Sequence, residues 1–259
     1  MWRNHREMWD TQSMKLEEVV KYQNDLLRVT GFNDYPNALN GLQLENSGTV
    51  SKVAAAVDAC EAVLRMAVEG GADLLIVHHG LFWGGLQTVT GAHHRKLKLA
   101  IENDLAVYSV HLPLDAHPQF GNNALLCNAL DLPEPRQPFL EIGLQIEAKL
   151  DREILCRRIE QAVDGNVHLA PGGPPVTRRI GVVTGAAGGE IFKAAAEGVD
   201  TFITGEGPHW SFTAAEELNM NIVYAGHYAT EVFGVKALAK SLQAKFGLPW
   251  TFLHHPTGL

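Results

Sequence analysis

The sequence predicts an α/β protein built from two related lobes, with a polar site in the cleft between them. Three observations predict it. Residues 107–115 read VYSVHLPLD and residues 223–231 read VYAGHYATE: two short apolar runs, each ending in a histidine with a carboxylate four positions later. Upstream, residues 67–80 (AVEGGADLLIVHHG) and 195–207 (AAEGVDTFITGEG) each read as a helix end, a glycine stop, a buried strand and polar residues at its carboxyl end. Further back, 53–58 (VAAAVD) parallels 180–185 (IGVVTG). A duplicated strand–helix–strand–helix–strand unit accounts for all three, and two copies suit facing lobes better than a solenoid.

The elements follow in order. Residues 1–13 are charged, carry Trp2 and Trp9, and read as an N-terminal extension. Met14 opens an amphipathic helix with Leu16, Val19, Val20, Leu26 and Leu27 on one side. A turn-rich stretch over 31–43 precedes a strand at 53–57, a helix at 61–69 and a strand ending at His78 and His79. The glycine-rich loop 80–91 leads to a basic helix with Arg95, Lys96 and Lys98, then to the strand ending at His111. Asp115 is expected in a loop, and a short helix over 124–130. Pro133, Pro135 and Pro138 mark the boundary between a first lobe, 14–132, and a second, 133–259. A short middle section, 141–177, holds an alternating strand at 144–148, a helix over 151–163 and an exposed loop at 171–175. The second copy runs over 180–231. A last helix over 230–246 carries Val235, Leu238, Leu242 and Phe246 at core spacing and puts Glu231 in its first turn. A closing strand follows at 250–253, and this final pair of elements is free to pack back on the first lobe.

Composition excludes several classes of function. A chain of 259 residues with 46% hydrophobic and 19% charged residues is an ordinary globular protein. Net charge −8 argues against a nucleic-acid footprint, which needs a basic face. Cys60, Cys127 and Cys156 lack paired-thiolate spacing and read as reduced core residues. No apolar run approaches the ~20 residues of a membrane span, and the amino terminus lacks a secretory signal. A cytoplasmic location is the expectation.

The chemistry should lie beyond the carboxyl ends of the parallel strands, where ligands collect in α/β sheets. His78, His79, His111 and His227 fall there, with Asp115 and Glu231 nearby. Imidazole nitrogen and carboxylate oxygen are the usual ligands of divalent first-row metals, and without cysteine they suit zinc, iron, manganese or nickel. Each carboxylate alone has an innocent reading, Asp115 in a turn and Glu231 at a helix start; the repeated spacing raises the metal reading. Successive strand residues point to opposite faces, so His78 and His79 chelate one ion only if the strand breaks before Gly80. Two ions sharing a carboxylate, held ~3.5–4 Å apart as in two-metal hydrolases, fit with less distortion. His93, His94, His254 and His255 lack the repeated pattern, as do His5, His117, His168 and His209. The loop 185–190 is open to two readings, a phosphate cradle or a tight turn, and Arg95, Lys96 and Lys98 to two, a phosphate partner or a solvated helix face.

The segments 40–43 (NGLQ), 77–80 (VHHG) with Phe82 and Trp83, 111–118 (HLPLDAHP), 203–206 (ITGE) and 225–231 (AGHYATE) together resemble the Nif-three-like dinuclear-metal proteins, over about 14–256. Bacterial members carry the label of homologues of a type 2 form of GTP cyclohydrolase I. The resemblance implies two divalent metal ions per subunit, held by His78, His79, Asp115, His227 and Glu231, with His111 lining the site. It implies a homohexamer, a trimer of dimers, and no large insert between the lobes. It also implies a metal-dependent hydrolase acting on a small molecule, with GTP's guanine imidazole ring as the point of water attack and with His111, His117 or Glu206 carrying protons. Hydrolysis of another phosphate ester or amide would use the same ions. The alternative is a non-catalytic metal-binding or metal-handling assembly. No nucleic-acid or membrane partner is expected.

Overall fold

The computed structural model describes residues 13–259. The extension expected over 1–13 therefore lies, but for Ser13, outside the described residues.

The first part of the chain runs β1 (Met14–Lys15), α1 (Leu16–Leu27), β2 (Gly41–Leu44), β3 (Thr49–Val50), β4 (Val53–Asp58), α2 (Glu61–Glu69), β5 (Leu74–His79), α3 (Gly91–Glu102) and β6 (Ala106–Ser109). Two short helices follow, α4 (Leu112–Asp115) and α5 (Asn122–Ala129). The rest comprises β7 (Gln137–Phe139), β8 (Gly143–Glu147), α6 (Arg152–Val163), β9 (His168–Pro171), β10 (Arg179–Val183), α7 (Ile191–Ala196), β11 (Thr201–Thr204), α8 (Trp210–Glu217), β12 (Asn221–Tyr224), α9 (His227–Phe246) and β13 (Trp250–Phe252).

Two sheets carry the fold. The first is ordered β13-β4-β5-β6-β2, with β2 alone antiparallel to its neighbour. The second is ordered β7-β8-β10-β11-β12-β9, parallel over β10-β11-β12 and antiparallel on both flanks. Each sheet thus contains a three-strand parallel unit with crossover helices, which is why these strands read as apolar runs without alternation: both faces are covered. Val53, Ala55, Leu74 and Ile76 face α1 and α9, while Ala54, Ala56, Leu75 and Val77 face α2 and α3. In the second sheet Ile203 and Val223 pack toward α5 and α6, and Phe202 and Ile222 toward α7 and α8.

The C-terminal elements cross over. β13 pairs with β4, and α9 buries Val235, Leu238, Ala239 and Leu242 in the core of the first sheet. At about 1.5–3 kcal/mol for each fully buried large aliphatic side chain, this face anchors α9 to the first lobe. The helix also touches α4 and α5: Gly234 donates its N–H to Asn122 Oδ1 at 2.7 Å, and a Cβ there would meet Leu114 Cγ at 2.8 Å. Only glycine permits this approach. Gly234→Val is expected to cost about 1–3 kcal/mol by overpacking against Leu114, read as a lowered midpoint in urea unfolding. An unchanged midpoint would count against this packing.

Several expectations need correction. The last helix begins at His227, not at residue 230, because Gly226 at φ +89° turns the chain straight out of β12 into the helix. Glu231 is therefore one full turn into the helix, at i+4 from His227. Asp115 closes the short helix α4 and is not in a loop. The stretch at 171–175 is half packed and not a free loop: Asn221 accepts from Gly173 N–H at 3.1 Å and donates to Pro174 O at 2.9 Å. Strands β2 and β9 arise in segments that turn residues and a lone histidine disguise. All three cysteines are free, with Cys127 and Cys156 buried and Cys60 half-buried.

Candidate metal centre

The carboxyl ends of β5 and β6 and the amino-terminal turn of α9 meet at one point. His78 and His79 end β5, Asp115 closes α4, and His227 and Glu231 share one face of α9. Glu231 is the hub. Its Oε1 lies 3.5 Å from His78 Nε2 and 3.1 Å from His227 Nε2, and its Oε2 lies 3.5 Å from His79 Nε2. Asp115 Oδ2 lies 3.3 Å from His78 Nε2. The neighbouring rings of His78 and His79 have centroids 4.9 Å apart and reach different oxygens of the one carboxylate.

The opposite ring nitrogen of each histidine is already engaged. His79 Nδ1 is 2.9 Å from Asp58 Oδ1, His227 Nδ1 is 2.8 Å from Glu206 Oε1, and His78 Nδ1 is 2.9 Å from the carbonyl oxygen of Val110. Such partners settle the tautomer, leaving Nε2 with a lone pair aimed inward, the usual outer support of metal-binding histidines. Asp115 is supported likewise: Asn122 donates to its Oδ1 at 2.7 Å, and the Thr184 hydroxyl lies 3.4 Å from the same atom. Asp58→Asn, which removes the charge behind His79, is expected to weaken divalent-metal affinity about 10–100-fold. Competition with a chromophoric chelator measures it, and affinity equal to the parent would deny Asp58 this role.

The electrostatics ask for positive charge at the centre. Burial alone would lower His78 and His227, but Asp115 and Glu231 raise His78 well above its ordinary value. Glu231 and Glu206 likewise push His227 up to about 9. Burial would raise Glu231, yet the surrounding histidines, His78 foremost, hold it well below the usual carboxylate range. Buried polar atoms are nearly always hydrogen-bonded, but His78 Nε2 and Glu231 Oε2 are buried without a hydrogen-bond partner. Gly185, at φ +70°, sits so close that a Cβ would collide with Glu231 Oε1. Orphaned inward-facing donors, an N/O donor set and a wall kept bare by glycine all fit bound metal; the cluster can hold one. The centre is not sealed: the His79 and His227 side chains are 19% and 26% exposed, against 0% for His78 and 4% for Glu231.

Other candidates fall elsewhere. His117 Nδ1 accepts the backbone N–H groups of Gln119 and Phe120 at 3.1 and 3.0 Å, and the residue shares no ion pair with the five. It shapes the turn after α4. Glu206 does reach the centre, but through His227. The loop 185–190 behaves as a tight turn: Gly185, Ala187, Gly188 and Glu190 all spend their N–H groups within the fold. Arg95 pairs with Glu61 and Lys98 with Glu102, so the basic helix face is solvated. His93 packs edge-on to Phe82, and His254 to Tyr228.

Sequence reasoning passes over Asp34, Asp58, Asn122 and Thr184. Asp58 has a legible signal, a charged residue ending an otherwise apolar strand; it is the register partner of His79. Asn122, wholly buried and bonded to both Asp115 and Gly234, has none.

A family model described as Duf34/NIF3 (NGG1p interacting factor 3) matches residues 14–257. A "GTP cyclohydrolase 1 type 2 homolog" of Deinococcus radiodurans is 41% identical over 250 residues, covering 94% of each chain. The crystal structure of TTHA1606 from Thermus thermophilus superposes with a TM-score of 0.88 at 41% identity, over 95% of this chain and 100% of that one. Reduced HcgD from Methanocaldococcus jannaschii matches with a TM-score of 0.84 at 26% identity, over 94% and 99%. Among the described residues, no helix is long and apolar enough to cross a membrane.

Proposed function

The chain belongs to the Duf34/NIF3 family, and on that footing we propose that it is a metal-dependent hydrolase with two divalent ions per subunit, acting on a small-molecule phosphate ester, amide or nucleotide. One observation carries the reading: three imidazoles converge on two buried carboxylates, and His78 Nε2 and Glu231 Oε2 have no hydrogen-bond partner.

His79, His227 and Glu231 would hold one ion, since single donor atoms from the three lie within 4.8 Å of one another. His78 and Asp115, sharing Glu231, would hold the other. Divalent ions at such a centre supply Lewis acidity and lower the pKa of water toward neutrality. The protein's part is positioning. Asp58 and Glu206 orient His79 and His227, and the partly open edge at these two histidines admits substrate. Glu206 is a positioning residue in this reading, and His117 is committed through Nδ1 to its own turn. The name of the curated relatives makes GTP the first substrate to try.

The buried half of the centre favours a second reading, a metal-binding assembly without turnover, because His78 and Glu231 are closed to solvent. Elemental analysis of untagged protein, followed by a screen of GTP, other nucleotides, phosphate esters and amides with Zn(II), Mn(II) or fresh Fe(II), separates the two. Turnover that depends on added metal is expected; two tightly held ions with no turnover of any class would overturn the hydrolase. A ring of six subunits belongs to the same proposal, and mass in solution by light scattering tests it.

A further inference from the structure

Trp83 stands at the open edge of the centre. Its ring centroid lies 5.4 Å from that of His79 and 4.6 Å from that of His111. It is nevertheless 40% exposed, a large apolar surface left in water beside the partly open His79. Tyr35, 63% exposed, is next to it, with centroids 6.2 Å apart. Both rings are braced. The Tyr35 N–H donates to Asp34 Oδ1 at 2.6 Å, and that carboxylate also accepts from Leu112 N–H and Asn40 Nδ2 at 3.0 and 2.7 Å and lies 2.9 Å from His111 Nδ1. Gln43 ties the loop of Trp83 to the segment after Tyr35. Its Oε1 accepts the Leu81 N–H at 2.7 Å, and its Nε2 donates to the carbonyl oxygens of Ala38 and Leu39 at 3.2 and 3.0 Å.

The ring orientations leave one interaction unused. Aromatic rings attract either edge-on or in offset parallel stacks. His79, His111 and Tyr35 meet Trp83 at interplanar angles of 56°, 71° and 69°, so none of these neighbours lies parallel to the indole. The other exposed aromatic pair behaves differently: Phe192 and Trp210 stack on each other at 17°, with centroids 5.9 Å apart. We propose that Trp83, flanked by Tyr35, is a stacking platform for the planar ring of the substrate, which makes the substrate class a nucleobase or similar fused heterocycle. A ring stacked there lies beside His79, on the side of the centre that is open to solvent. Stacking alone does not tell one base from another, because every base has a π-face. The choice of substrate class rests on the hydrolase reading above; the platform itself is testable without turnover.

The test is calorimetric titration of the full-length protein with guanosine monophosphate, adenosine monophosphate and ribose 5-phosphate, the last carrying the same sugar phosphate without the ring. Both nucleotides are expected to bind at least about 10-fold more tightly than ribose 5-phosphate. Trp83→Ala and Trp83→Leu are expected to lose about 10–100-fold in affinity for both nucleotides and none for ribose 5-phosphate. Trp83→Phe, which keeps a ring, is expected to retain most of the difference. Circular dichroism confirms folding, and Trp83→Leu, which keeps apolar bulk without a π-face, carries the test if Trp83→Ala fails to fold. Equal affinity of the parent for all three probes, no nucleotide binding up to about 1 mM, or parental affinities in the Ala and Leu variants would overturn the platform. So would an altered mass in solution for Trp83→Leu by light scattering, which would give the indole to a contact between copies. Ring-selective binding without turnover of any substrate removes the hydrolase and leaves the platform standing; metal-dependent turnover of ring-free esters or amides, without ring selectivity, does the reverse.

Discussion

Glu231→Gln is expected to release both ions and abolish metal-dependent turnover. The substitution keeps the shape of the side chain and removes its charge. Glu231 is 3% exposed and touches His78, His79 and His227 at 3.1–3.5 Å, so both proposed ion positions depend on it. Outer partners such as Asp58 are worth about 10–100-fold in affinity; a residue shared by both positions should exceed that range. The metal-free variant should still fold, because the substitution removes a buried negative charge and adds none, while Asp115 stays beside His78 and Glu206 beside His227. Dialysis against a weak chelator followed by elemental analysis is the check. Two ions retained per chain, or undiminished turnover, would remove Glu231 from the centre.

A second large effect concerns pH in chelator-stripped protein. The His227 imidazole is raised from 6.5 to about 9 by Glu231 and Glu206, against its burial. A raised folded-state value means stability that is fully present below about pH 6.5 and lost as pH climbs through about 9, with an upper bound of about 3 kcal/mol. Glu231, held below its ordinary value of 4.5 by His78 and the other histidines, against its burial, contributes in the opposite sense: its share is present above about pH 4.5 and lost in acid. These groups therefore favour stripped protein between about pH 4.5 and 6.5, with decline toward pH 9. Divalent metal should reverse the alkaline limb, since ions require imidazoles without protons and bind better as pH rises. Melting temperatures from about pH 6 to 9, with chelator and with Mn(II) or Zn(II), measure both. A stripped protein whose melting point rises over that range would contradict the charge balance described here.

Much of this centre is legible in the chain alone. His111 with Asp115 and His227 with Glu231 stand out because a core strand has no use for a histidine and a carboxylate just past its end, and the arrangement occurs twice; His78 and His79 stand out at the end of an apolar strand, and the resemblance to the family narrows the expected ligands to His78, His79, Asp115, His227 and Glu231. The elements that bear them, β4 to β6 and β10 to β12, are legible for the same reason that they fold: strands buried on both faces are unbroken apolar runs. What spacing misplaces is local and geometric. It puts Asp115 in a loop and Glu231 in a first turn, but Gly226 and the short helix α4 set both at one helical turn from their histidines. His117 resembles a site residue because it lies two positions from Asp115, yet its ring faces its own turn.

The candidate donors are written in residue order, since chemistry and spacing along one strand or one helix are local properties that the backbone repeat transmits faithfully. How those donors are held is settled by packing in three dimensions: Asp58 behind His79, Glu206 behind His227, Asp34 behind His111, and Asn122 joining Asp115 to Gly234. The histidine–carboxylate pairs join residues 21, 21 and 77 positions apart, and the Asn122–Gly234 bond spans 112. Contacts at that separation exist because two apolar sheets and a crossing helix bury their faces together, and no periodicity in the chain encodes which polar atoms then meet.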